Sequence, residues 1–135
     1  MSTTNKDPYL EAEKLGLEIC HTNTLPTGID GLYTGDRLLV RPHLPNRFEI
    51  STLWHELGHH HYGLTHVPSH LSSRLEYKCD CYAAEHLINQ RDLEILARIY
   101  PDDSERIAYE LGVTQRILKA YLSAHPYRQA VALPA

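Results

Sequence analysis

The run His55-Glu56-Leu57-Gly58-His59 joins residue types and a spacing that could organise a reaction by themselves. On a helix, two imidazoles at i and i+4 share one face, one turn apart. They can bind a single Zn²⁺, with the glutamate between them beside the open coordination position. A metal so held polarises a carbonyl and acidifies its bound water, and Glu56 can take the proton. That chemistry is peptide hydrolysis by a zinc site with one Zn²⁺ per chain. The chain carries 10 His, so a short His-containing pattern can also arise by chance, and its surroundings must support it.

The residues before the motif are suited to starting a helix. Asn46 and Glu49 have capping-box spacing behind Pro45, which predicts a helix beginning near Arg47. Ile50, Leu53, Trp54 and Leu57 then recur at helical spacing as a core-facing side. Gly63 is the expected residue just past its end.

A zinc ion that keeps one position for water needs a third protein ligand. His66 does not fit the longer pattern H-E-x-x-H-x-x-G-x-x-H, because Tyr62 and Thr65 stand where Gly and His are required. His66 and His70 remain candidates to line the cleft. Cys79 and Cys81, if helical, point about 200° apart and cannot share one ion with both histidines. Glu76 is the preferred ligand. A second helix is expected from about Ser72 to Gln90, and on it Glu76, Asp80, Ala83 and Leu87 form one stripe. Carboxylates on a stripe that continues as Ala and Leu need a partner charge, hydrogen bonds or a metal. Glu76 as ligand, with Asp80 accepting from the ring N–H of a ligand histidine, would satisfy both.

Thr52-Leu53-Trp54-His55-Glu56-Leu57-Gly58-His59, followed by Glu76, Cys79-Asp80, Tyr82-Ala83-Ala84 and Leu87-Ile88, resembles the ImmA/IrrE-type metallopeptidases. Leu15-Gly16-Leu17 and Gly31-Leu32-Tyr33 resemble that family too, so the likeness extends over roughly residues 8–122. It implies a minimal zincin-like domain with His55, His59 and Glu76 as ligands and Glu56 as general base. It also implies a protein substrate, a helix-turn-helix repressor whose cleavage relieves repression. Asp80 stands where that family usually has Asn, and Cys79 where it has a small Ala.

The 135 residues suit a single domain, 1–135, with a core of about 8–122 and tails at Met1–Lys6 and His125–Ala135. No apolar run approaches the roughly 20 residues of a membrane span. Three cysteines that cannot pair completely, and the absence of a secretory signal, lead us to expect a cytoplasmic protein. The net charge of −4 argues against a phosphate-binding surface. Asp7-Pro8 should cap a first helix ending at Gly16. Ile29–Tyr33 and Arg37–Arg41 should be strands, the latter an edge beside the site able to receive substrate as an added strand. Leu93, Leu96, Ala97 and Tyr100 suggest a further helix closed by Pro101. The expected class is α+β: a small antiparallel sheet packed on the HExxH and glutamate-bearing helices, with a helical C-terminus.

Residues 107–122 carry a competing pattern. Ala108, Gly112 and Leu118 sit where a helix-turn-helix wants them, with Thr114, Gln115, Arg116 and Lys119 free to face DNA. Four acids against three basic residues over 102–122 make no basic footprint, so nucleic acid is not the expected partner. The reading is therefore a zinc endopeptidase. The alternative is a non-proteolytic, zinc-stabilised regulatory binding protein, acting as an anti-repressor or on DNA through 107–122. A second donor to the developing oxyanion is expected among Tyr33, Tyr62, His66 and His70.

Overall fold

The computed structural model describes residues 6–65 and 69–126. In chain order the elements are α1 (Pro8–Lys14), β1 (Glu18–His21), β2 (Gly31–Tyr33), β3 (Arg37–Val40), α2 (Asn46–Tyr62), α3 (Ser69–Leu87), α4 (Gln90–Ile99), α5 (Ser104–Leu111) and α6 (Gln115–Ala124). This is an α+β fold with a helical C-terminus, as expected.

Local chemistry starts and stops these elements. The Asp7 carboxylate accepts from the backbone N–H groups of Tyr9 and Leu10, and Pro8 occupies the first helical position, so α1 begins where the sequence says. Asn89, Asp103 and Thr114 cap α4, α5 and α6 in the same way. The capping box expected at Asn46 is not made. The chain enters α2 through Pro45 at φ −53 and ψ 146, without a side-chain cap, and helix begins at Asn46 itself. Glu49 instead accepts a hydrogen bond from the Tyr9 hydroxyl, tying α1 to the first turn of α2. Helix α3 begins at Ser69, ahead of the expected Ser72.

The sheet is mixed where an antiparallel one was expected. β2 pairs antiparallel with β3, and β1, which the sequence reading did not foresee, pairs parallel with β3 on its other side. Arg37–Val40 is therefore the central strand, not the edge, and β2 is the edge beside α2. Residues 22–30 are too long for a tight hairpin, so β1 and β2 stand apart and β3 fills the gap. Arg41 fastens that connection: its guanidinium donates to the carbonyls of Pro26 (2.8 Å) and Ile29 (2.7 Å) and to Asp30 (3.2 Å). Along β3, Leu38 and Val40 are fully buried while Arg37 is exposed, the alternation of a strand with one covered face.

The core lies between that face and the helices. Leu53, Trp54 and Leu57 of α2 share one buried cluster with Leu38 and Val40 of the sheet, Ala83, Ala84 and Leu87 of α3, and Ile117, Leu118 and Tyr121 of α6. Trp54 is fully buried, and its indole N–H donates to the carbonyl of Lys6, satisfying the one polar atom of a large apolar group. Among the described residues, no helix is long and apolar enough to cross a membrane.

Candidate metal centre

Helices α2 and α3 approach closely because Gly58 has no side chain. A Cβ there would lie 3.1 Å from both Cα and Cβ of Cys79. Glu76 and Asp80, one turn before and one residue after Cys79, are thereby brought against His55 and His59. The HExxH motif is largely buried, with His55 and Glu56 each 7% exposed.

Each imidazole is oriented through its Nδ1. That of His55 donates to Asp80 Oδ1 at 2.7 Å. That of His59 donates to the Leu64 carbonyl at 3.0 Å. The second contact follows from how α2 ends. Gly63 takes φ 69, its N–H reaches the His60 carbonyl, and the Leu64 N–H reaches the His59 carbonyl. This Schellman turn folds the Leu64 carbonyl back under the ring of His59. Both Nε2 atoms are left to converge on Glu76, at 2.5 Å from His55 and 2.9 Å from His59.

The ligand atoms of His55, His59 and Glu76 lie within 4.8 Å of one another, and they are the group among the described residues able to hold a metal ion. Two neutral imidazoles and a carboxylate form a donor set that zinc accepts while keeping a position open. The fixed tautomers add that each ring presents the nitrogen a metal needs. Cys79 is buried beside Gly58 and Cys81 lies near the Ala120 carbonyl; neither belongs to the group.

The metal-free cluster is strongly polarised. Burial lowers the affinity of His55 for a proton, but hydrogen bonds to Asp80 and Glu76 outweigh it and raise its pKa to about 9. His59 is also raised, burial being offset by Glu76, Glu56 and the Leu64 carbonyl. Glu76 is held well below the usual carboxylate range by its hydrogen bonds from both rings. Glu56 behaves oppositely. Burial pushes it up, against the pull of His55, His59 and a hydrogen bond from the Tyr33 backbone. Its carboxylate lies 3.9 Å from His55 Nε2. A buried carboxylate with increased proton affinity beside a metal position is suited to general base work.

The site opens into a cleft of about 360 Å³. One wall is residues 28–31, where β2 begins, the floor is α2, and the other wall is the start of α6. Gly31 packs so closely on α2 that a Cβ would meet Thr52 Cγ2 at 2.5 Å and Glu56 Cγ at 3.2 Å. The Asp30 carbonyl and the Thr34 N–H bond toward β3. Alternation then turns the backbone groups of Gly31 and Tyr33 outward.

Of the expected second donors, Tyr33 and Tyr62 fall elsewhere. The Tyr33 hydroxyl donates to the Gly35 carbonyl and accepts from His60 Nδ1. Tyr62 packs against His61 and Tyr82 under the ammonium of Lys78. Neither lines the cleft. His66 and the side chain of His70 lie outside the described residues. The residue that sequence reasoning missed is Arg116, considered there only within the disfavoured DNA-binding pattern. Its Nε donates to Asp80 Oδ2 at 2.7 Å, and Nη2 lies 3.8 Å from Glu76. No local spacing links positions 80 and 116, so nothing in the sequence pairs them. The α5–α6 turn itself is held to α2: Arg47 donates to the Val113 carbonyl, and Ser51 Oγ accepts from the Thr114 N–H. The start of α6 is thereby held as the far wall of the cleft.

An HExxH helix facing a glutamate-bearing helix is the arrangement of metal-dependent peptidases. The model of the family Peptidase M78, the IrrE N-terminal-like domain, matches residues 12–123, and the chain belongs to this family of metallopeptidases. No curated protein and no solved structure matches the chain.

Proposed function

We propose that the protein is a zinc-dependent endopeptidase of the gluzincin kind, acting on a helix-turn-helix repressor in the cytoplasm. The observation that carries the peptidase reading is the convergence of His55, His59 and Glu76 beside the buried Glu56 at the head of an open cleft. Family membership supports it. The repressor as substrate rests on the resemblance of the two helices to ImmA/IrrE proteins.

In this reading His55, His59 and Glu76 hold one Zn²⁺, and Asp80 and the Leu64 carbonyl keep the rings in place. Zinc supplies Lewis acidity there, polarising the scissile carbonyl and acidifying the attacking water. Glu56 takes the proton of that water on its carboxylate and passes it to the leaving amine. The substrate lies extended against β2, pairing with the outward N–H and C=O of Gly31 as an added strand. This gives β2 the docking role that the sequence reading gave to Arg37–Arg41.

Glu56→Gln tests the reading, because it removes the base and keeps the shape. The variant should bind zinc and fold as wild type does. Cleavage of a repressor encoded beside it, read by intact mass, should fall on the order of 10²–10⁴-fold. Full relief of repression in cells by Glu56→Gln would instead identify a protein that acts by binding.

A further inference from the structure

Arg116 is the ridge between two cavities, since it lines both. On one side is the cleft, whose lining includes the carboxylates of Asp30, Glu56, Glu76 and Asp80. On the other is a groove of about 600 Å³ along α6, and among the described residues that line it there is no carboxylate. Its floor is apolar, formed by the buried Leu118 and the half-buried Leu122. Lys119 stands exposed beside that floor, about one helical turn beyond Arg116. Hydrogen bonds hold both ends of the groove. Gln115 Nε2 donates to Ser104 Oγ, joining α6 to α5. The Tyr77 hydroxyl donates to Ser123 Oγ, joining α6 to α3. Walls fixed in this way need little ordering when a ligand arrives.

We propose that this groove continues the substrate cleft and selects an acidic side chain of the substrate, paired by Lys119, with an apolar neighbour laid on Leu118 and Leu122. It rests on the peptidase reading. Continuity argues for the substrate as occupant, because a chain that leaves the cleft past Arg116 has the groove directly before it. Charge argues for the acid. Within the cleft a substrate carboxylate would meet Asp30, Glu56, Glu76 and Asp80, and like-charge juxtaposition disfavours it there. Past Arg116 that repulsion ends, and the ammonium of Lys119 is a point charge on a flexible stem that can reach an anion. The groove extends over residues 115–123, about 12 Å of helix at roughly 1.5 Å per residue. An extended peptide covers that length in about four residues. The acidic position therefore lies beyond the residues that flank the cut bond.

The test uses the zinc-loaded full chain and a synthetic library of random tetradecapeptides, with cut sites read by mass spectrometry. Peptides cut by wild type should be enriched in Asp or Glu at one position beyond the residues that flank the cut. In Lys119→Glu the same position should turn to Lys or Arg, while the residues flanking the cut stay as in wild type. For one well-cut peptide, Lys119→Ala should lower kcat/KM by about two- to fivefold, the worth of an exposed ion pair, and added salt should reduce the difference. Lys119 is exposed, so these changes leave the core as it is. Cutting by wild type without a distant charge preference would overturn the proposal and leave the groove to an occupant other than substrate. A preference that Lys119→Glu does not invert would overturn it as well. In both cases the peptidase reading stands. Wild type that takes zinc but cuts no peptide of the library would defeat that reading, and the proposal with it.

Discussion

Gly58 and Cys79 are in backbone contact: a Cβ on Gly58 would sit 3.1 Å from Cα and Cβ of Cys79 and 3.3 Å from its carbonyl oxygen. The candidate metal centre depends on this contact, because Glu76 and Asp80 flank Cys79 on α3 while His55 and His59 flank Gly58 on α2. Gly58→Ala places two effects in opposition. Alanine is favoured over glycine inside a helix by about 1 kcal/mol, but the added methyl meets backbone that cannot swing aside. Metal-free stability should therefore change little, while zinc affinity should fall roughly tenfold as α3 is displaced, in the range of other indirect disturbances of a metal site. Calorimetric melting together with chelator competition measures both. A variant that is more stable and binds zinc as wild type does would show that the contact does not set the site.

The three proposed ligands and their supports should rank in a definite order. His55→Ala, His59→Ala and Glu76→Ala should lose zinc outright or nearly so. Asp80→Ala should weaken it by about 10–100-fold, since it removes an orienting contact. Cys79→Ser and Cys81→Ser should leave zinc binding in place. Metal analysis and graded chelators would establish the order. Loss of metal in the cysteine variants with retention in Glu76→Ala would remove Glu76 as ligand.

Gly31 and Thr52 should be coupled. The methyl of Gly31→Ala would overlap Thr52 Cγ2 and press on Glu56 Cγ, pushing β2 from α2 or turning Glu56 from its position. Cleavage should drop while zinc affinity holds. Thr52→Ser removes the clashing methyl, so the double variant should recover part of the loss. A double-mutant cycle gives the coupling, expected in the range of about 0.5–3 kcal/mol for residues in contact. Strict additivity would mean that β2 yields freely and that the close approach is without consequence.

Metal-free protein should lose stability with rising pH. His55 titrates near 6.5 when unfolded and near 9 when folded, because its bonds to Asp80 and Glu76 outweigh the burial that opposes them. A raised folded-state pKa stabilises fully below the unfolded value, and the contribution disappears as pH climbs through 9. The melting temperature without zinc should thus fall between about pH 6.5 and 9. The lowered pKa of Glu76 reflects the same cluster and is not a second contribution. Zinc affinity should rise across that window, since the metal needs neutral rings. Asp80→Ala should flatten the metal-free profile; a slope unchanged in that variant would place its origin elsewhere.

Much of the site was legible because it is local. His55, Glu56 and His59 stand within two turns of one helix, and helical geometry alone puts them on one side. Glu76 and Asp80 declared themselves as acids on a stripe that continues as Ala83 and Leu87, and both meet His55. Gly63 ended α2 as a left-handed glycine should, and Asp7-Pro8 opened α1.

Relations between distant segments stayed hidden, since no short spacing encodes them. Strand β1 has little alternation to announce it, with a burial pattern that never becomes fully buried, and its parallel pairing moved β3 from the edge to the centre. The edge beside Glu56 is β2, chosen by which strand could lie against Thr52. Arg116 reached Asp80 only because α6 packs across α3, and the turn before it is pinned to Arg47 and Ser51. Sequence alone determined which residues could do chemistry, because helical periodicity fixes faces over a few turns. Tertiary structure decided which strand and which cation surround them, because those positions arise from packing between segments tens of residues apart.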